Sequence, residues 1–249
     1  PRMWIAIVGR HAGVRGIARP RRTTLALAVR GRNREIGKAI GLAQIDHLVF
    51  GAATLAEGEA WMTERLGCPP AVHGRHALMS THNALWRLDG CYLEVITVDP
   101  DAPDPGRKRW YGLDDPHVRE RLVRGPALLT WVVSVDWIDP STEADHGLAI
   151  RVTRDALSWQ LTVPEDGKLR AGGALPTLIA WDPGSPSPAT TLPESGLRLD
   201  RLVLGSGEAS VAKCVAGYGL QDRVEIDPEA THDLSARITR RDGDKATLV

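Results

Sequence analysis

One pattern recurs three times along this chain of 249 residues: an apolar strand, a helical segment, then three more strands, in units of about 50 residues. A repeat of that length limits the fold more than any single motif, because each unit has one apolar face and must bury it against another unit. The first unit is the clearest. Residues 45–50 read as a buried strand. Thr54 with Glu57 three positions on forms a capping box, Leu55, Trp61, Met62 and Leu66 make an apolar stripe, and Gly67 and Pro69 stop the helix. A short strand near 71–76 is followed by strands 83–88 and 91–98 across an Asp89-Gly90 turn.

A connector rich in Asp, Pro and Gly spans 99–116, with a short helix over 115–123. The second unit has strands at 128–135, 150–153, 157–163 and 175–181, but Asp139-Pro140-Ser141 and Gly147 break the stretch where its helix belongs. A Pro- and Ser-rich linker, 183–196, leads to the third unit: strand 197–204, helix 208–218, and strands 224–226, 234–239 and 246–249. The expected domains are therefore 45–182, holding repeats 45–98 and 127–182, and a third unit, 197–249. The apolar face of the third unit has two possible covers. It either packs on the eroded second repeat of the same chain or pairs with its own copy in a homodimer.

The net charge of zero hides an asymmetry. Residues 1–44 carry ten basic side chains and one acid, Glu35, leaving 21 basic and 30 acidic residues in the other 205. Three readings of this segment compete: a poorly ordered extension, a targeting peptide, and a nucleic-acid arm. Little aromatic interleaving and no groove-reading motif speak against the arm, so nucleic acid is not expected as a partner. Apolar residues make up 43%, enough for a core, and no apolar run reaches the ~18 residues of a membrane span. Cys68, Cys91 and Cys214 lie far apart, which excludes a disulfide framework and fits a reducing cytosol.

Several stretches taken together carry a resemblance: Asp46-His47-Leu48-Val49, Gly74-Arg75-His76 with Thr81-His82-Asn83, Tyr92-Leu93-Glu94, Leu157-Ser158-Trp159 with Asp166-Gly167, and the run from Gly172 to Trp181. With the βαβββ repeat they resemble the glyoxalase-like domain proteins of the vicinal-oxygen-chelate superfamily, over 45–182 closely and 197–249 loosely. The resemblance implies an α+β fold of tandem βαβββ repeats whose curved mixed sheets enclose a cavity. It also implies one divalent metal (Fe, Zn, Mn or Ni), held by a first-strand His and a last-strand Glu from each of two repeats.

Here the first repeat supplies His47 and Glu94, with His82 as a third ligand from a neighbouring strand. The sequence alignment of the second repeat sets Trp131 and Ala180 at the two ligand places, and that of the third sets Arg201 and Thr247. Only part of the ligand set is retained, so two functions stay open. One is a metal-assisted lyase, isomerase or dioxygenase. The other is a small-molecule binder that has lost its metal. Glu94, in a strongly apolar strand, and His82 are the catalytic candidates, Glu94 because an unpaired buried carboxylate is costly and its pKa is readily shifted. Arg75, His76, Asn83, Arg154, Trp131, Trp159 and Trp181 are the expected ligand contacts, with Arg154 suited to a carboxylate and Trp110-Tyr111 to a lid. The Gly172-Gly173 pair reads as a turn and not as a phosphate cradle.

Overall fold

The computed structural model describes residues 43–249, so the readings of the basic segment fall almost wholly outside the described residues. β1 (Gln44–Gly51) is buried from Ile45 onward, as its apolar run requires. α1 (Leu55–Leu66) begins where Thr54 accepts from the Glu57 amide at 3.2 Å and ends at Gly67, φ 74°, a left-handed residue that glycine adopts at little cost. β2 (Val72–His76), β3 (Thr81–Arg87) and β4 (Tyr92–Val98) complete the first repeat.

The connector carries α2 (Pro116–Val123), N-capped by Asp115. The second repeat follows: β5 (Ala127–Ser134), the short α3 (Glu143–His146), β6 (Leu148–Arg154), β7 (Leu157–Val163) and β8 (Thr177–Trp181). Its helix is reduced to a single turn, as Asp139, Pro140 and Gly147 foretell.

The eight strands form one sheet in the order β2-β3-β4-β1-β5-β8-β7-β6. β1 and β5 run antiparallel at its centre, and each pairs in parallel with the last strand of its own repeat, β4 or β8. The halves are thus arranged about an approximate twofold. The sheet curls until its two edges approach: a Cβ on Gly74 of β2 would stand 2.5 Å from the Arg154 guanidinium of β6. The inner face carries Val49, Ile96, Val132 and Ile179. The outer face carries Leu48, Leu93, Trp131 and Leu178.

Beyond α4 (Pro188–Thr191) lie β9 (Arg198–Leu204), α5 (Ala209–Gly217), β10 (Val224–Ile226), β11 (Leu234–Thr239) and β12 (Lys245–Leu248). The elements come in the order β-α-β-β-β, but the sheet runs β10-β9-β11-β12. In the first repeat the first strand pairs with the last; here α5 returns the chain so that β10 lies parallel beside β9, and β11 takes β9's other side. The third unit is therefore not a copy of the first. Of its two possible covers, the structure shows the intrachain one. Leu202, Val211, Leu234 and Ala236 share one apolar cluster with Leu128, Trp131 and Leu178 on the outer face of the sheet. β11 packs against β5 and β12 against α1, so the third unit touches both repeats on this face.

Segment 183–196 is more than a linker. Pro188 and Ala189 are buried, and Ser187 Oγ lies 3.2 Å from Asp46 Oδ2.

Candidate functional site

A cavity open to solvent on one side lies on the inner face of the curled sheet. Its floor is built by strand alternation. On β1 His47 faces inward, on β3 Asn83 and Leu85, on β4 Tyr92 and Glu94, on β2 Gly74 and His76, and on the second repeat Trp159, Leu161, Ile179 and Trp181, with Arg154 at the rim.

The polar centre is a buried array. Asp46 and His47 are sequence neighbours, which a regular strand would send to opposite faces. The β1–β5 register slips between Ile45 and His47, a one-residue bulge that leaves Asp46 free to turn toward His47. Asp46 Oδ1 lies 2.7 Å from His47 Nδ1, which donates to it. Asp46 Oδ2 accepts from Trp181 Nε1 at 2.9 Å and from Ser187 Oγ. On the ring's other side His47 Nε2 lies 3.5 Å from Glu94 Oε2, and Glu94 Oε1 accepts from Asn83 Nδ2 at 2.5 Å. Tyr92 stacks on the imidazole at 4.5 Å.

Burial would push the His47 imidazole down, but the Asp46 hydrogen bond and the two carboxylates outweigh it and raise its pKa to about 9. Burial likewise would raise Glu94, and the adjoining imidazolium overrides it and holds the carboxyl below its ordinary range. His76 is different. Burial, with the charges of Arg154 and His47 acting the same way against Glu94, lowers it to about 4, so it is neutral near pH 7. Its ring meets Trp110 edge-on at 5.0 Å.

The structure thus brings His47, Glu94, His76, Asn83, Arg154, Trp159 and Trp181 around one cavity, and it places three other candidates elsewhere. His82 follows Arg75 across the β2–β3 pairing, and both alternate away from Asn83 and His76 to the opposite face. Arg75 is largely exposed and pairs with Asp99 at 2.9 Å. Trp131 is wholly buried on the outer face, where Nε1 donates to the Ala174 carbonyl at 3.0 Å. Trp110 and Tyr111 line the cavity as part of its wall, stacked at 5.5 Å. Asp46 and Tyr92 join the site as well, although in the sequence they stand only within the stretches that carry the resemblance, with no role of their own. The apolar setting of a carboxylate at position 46, in a strand otherwise buried, was the available signal.

The pairing also corrects the alignment of the second repeat. His47 pairs with Tyr92 in β1–β4, and Val132 pairs with Thr177 in β5–β8. Val132 is thus the counterpart of His47, and Ile179 of Glu94; Trp131 and Ala180 lie one residue off and point outward. Two inward apolar residues stand where the second pair of metal ligands would be. Among the described residues no group of three or more His, Cys, Asp or Glu side chains is arranged to hold a metal ion. His47 and Glu94 are already engaged with each other, and His47 with Asp46 as well, whereas zinc sites in proteins use at least three protein ligands. The donor set does not fit a resident divalent metal.

A pair of βαβββ repeats curled about a cavity is the architecture of the glyoxalase or vicinal-oxygen-chelate fold. The family model described as a glyoxalase-like domain matches residues 45–216, and the chain belongs to that family. No curated protein sequence matches the chain. Among solved structures, a hypothetical protein from Staphylococcus aureus is similar over 82% of this chain and 85% of its own, with 14% identity and a TM-score of 0.51. Methylmalonyl-CoA epimerase from Mycobacterium tuberculosis is similar over 55% of this chain and 85% of its own, at 18% identity and a TM-score of 0.34. A mutant 4-hydroxymandelate synthase from Streptomyces coelicolor is similar over 83% and 62%, at 14% and 0.38. No helix among the described residues is long and apolar enough to cross a membrane.

Proposed function

We propose that the cavity takes one small organic molecule and that the His47–Glu94 pair moves a proton on it. The observation that carries this reading is the Asp46–His47–Glu94 array, three charged groups buried in one wall of a cavity. Burying ionised groups costs several kcal/mol each before their mutual attraction, and apolar residues often serve stability as well. The second repeat makes that replacement, with Val132 and Ile179; the first does not. Shifted groups in a cleft are where acid–base chemistry is found.

Glu94, ionised at neutral pH, is the base. The His47 imidazolium is the acid and the partner for an oxyanion that develops on the substrate. Tyr92, Trp110, Trp159 and Trp181 supply flat walls. Of the reactions the family resemblance implies, isomerisation and elimination next to a carbonyl are proton transfers of this kind. The unpaired thiols of Cys68, Cys91 and Cys214 support a cytosolic setting.

The test is deuterium uptake. Small carbonyl compounds are held in D2O with the wild type or Glu94→Gln and followed by proton NMR. Exchange next to the carbonyl of at least one compound, lost in Glu94→Gln, is the expected result. Compounds that bind without exchanging would overturn proton transfer. They would leave the second reading, a protein that sequesters its ligand, which the apolar Val132 and Ile179 favour.

A further inference from the structure

We propose that the ligand of this cavity is a carboxylic acid with a hydroxyl or amino group on the carbon beside the carboxylate. Arg154 receives the carboxylate and Asn83 Oδ1 accepts the neighbouring hydrogen. The inference rests on the reading of the cavity as a small-molecule site and narrows its ligand class.

Arg154 ends β6, and its guanidinium crosses to β2 over Gly74. A Cβ on Gly74 would stand 2.5 Å from Nη1 and 3.2 Å from Cζ of Arg154, and 2.6 Å from Asn83 Oδ1. Gly74 is not in the left-handed region, so its backbone does not demand glycine. A side chain there would have to displace the guanidinium.

Arg75, Arg109, Arg119 and Arg151 each have a carboxylate within 4 Å, but Arg154 has none among the described residues. Glu94, the carboxylate that lines the cavity, is paired with His47 and Asn83. A half-buried guanidinium with its fork on a cavity rim is matched in geometry by a carboxylate.

Asn83 makes the second half of the recognition. Its Nδ2 is turned to Glu94, which fixes the amide so that Oδ1 points the other way. Oδ1 is buried and has no hydrogen-bond partner. An unpaired buried acceptor costs about 1–3 kcal/mol. It flanks the same small space as the Arg154 donor, so one compact group bearing both an acceptor and a donor answers both. The indole rings of Trp159 and Trp181, which line the same cavity, suit an aryl or other planar remainder.

The experiment is calorimetric titration with three matched probes: 3-phenyllactate, its primary amide, and 3-phenylpropionate, which lacks the hydroxyl. The proteins are wild type, Arg154→Met, Arg154→Lys and Gly74→Ala. Wild type should bind phenyllactate about tenfold or more tightly than either analogue: the amide loses a hydrogen bond between charged groups, and 3-phenylpropionate leaves the buried Asn83 Oδ1 without a donor. Arg154→Met should bind acid and amide equally, Arg154→Lys should fall between, and Gly74→Ala, whose methyl displaces the guanidinium, should resemble Arg154→Met.

The His47 imidazole signal, titrated by NMR in each variant, shows that the array is intact and the variant folded. Equal binding of acid and amide to wild type overturns the proposal. So does an acid preference that survives Arg154→Met, or a wild type that binds none of the three. The deuterium-exchange test reads the His47–Glu94 pair alone, so the two readings fail separately.

Discussion

His47 and Glu94 sit on neighbouring parallel strands, two residues out of register, and their charged atoms meet at 3.5 Å in the wall of the cavity. Stability should follow pH through this pair and through His76. His47 is raised from 6.5 to about 9, so its contribution is complete below pH 6.5 and fades as pH rises to 9. His76 is lowered from 6.5 to about 4, so its contribution is complete above pH 6.5 and fades as pH falls to 4. The lowered Glu94 adds a loss at still lower pH, beginning below 4.5. Thermal melts should therefore peak near pH 6.5. His47→Gln should flatten the alkaline limb, and His76→Gln the acidic one.

Glu94→Gln removes one partner of a buried ion pair and leaves the imidazole beside a neutral amide. The expected cost is about 3–5 kcal/mol in chemical denaturation. The His47 pKa should fall from about 9 at the same time, because one of the two carboxylates that raise it is gone. A variant as stable as wild type, with His47 still titrating near 9, would mean that Asp46 alone sustains the charge.

Val132 and Ile179 offer a direct check on the donor count. Val132→His with Ile179→Glu restores a His and a carboxylate at the places related by the twofold to His47 and Glu94. The metal-free double variant should be destabilised, since it buries a new carboxylate. Zn²⁺ or Ni²⁺ should restore its melting temperature while doing little for wild type. An equal metal response in both proteins would show that the first repeat binds the ion unaided.

The outcome for these positions shows where the sequence is readable. The capping box at Thr54, the left-handed stop at Gly67 and the Asp89-Gly90 hairpin depend on residues a few positions apart, so pattern alone places them. The side a residue faces depends on register, and a slip of one residue reverses it. Trp131 and Val132 differ by one such step, as do His82 and Asn83 and Arg75 and His76. The bulge that lets Asp46 and His47 face each other depends on pairing with β5, more than 80 residues away, and nothing local announces it. The strand order of the third unit is equally non-local: its element sequence was legible, its pairing was not.

Gly173→Ala should be among the most damaging single changes in the second repeat. The residue sits at φ 100°, and an added Cβ would lie 1.9 Å from the Leu129 carbonyl oxygen. It also anchors Thr130, whose Oγ1 donates to the Gly173 carbonyl at 3.0 Å. A melting point lowered by well over the ~4 °C that corresponds to 1 kcal/mol in a domain of this size is expected. Gly172→Ala, with nothing within 4 Å, serves as the control that separates clash from the cost of a left-handed backbone.

Ending the chain after Trp181 should expose Leu128, Trp131 and Leu178, which the third unit covers. The truncated protein should aggregate or bind a hydrophobic dye in light-scattering and fluorescence assays. A soluble monomer with unchanged stability would contradict the packing of the third unit on the second repeat.

The meeting of β2 and β6 at Gly74 and Arg154 bears on association between molecules. A flat eight-stranded sheet presents two long rows of unpaired amides and carbonyls, each a template for a strand from another chain. Here those rows bend toward one another, with an arginine side chain lying across the gap. The other free edges among the described residues, β10 and β12, are three and four residues long. Curvature that shapes a binding cavity on one face thus also blunts the molecule's longest edges against strand-by-strand polymerisation.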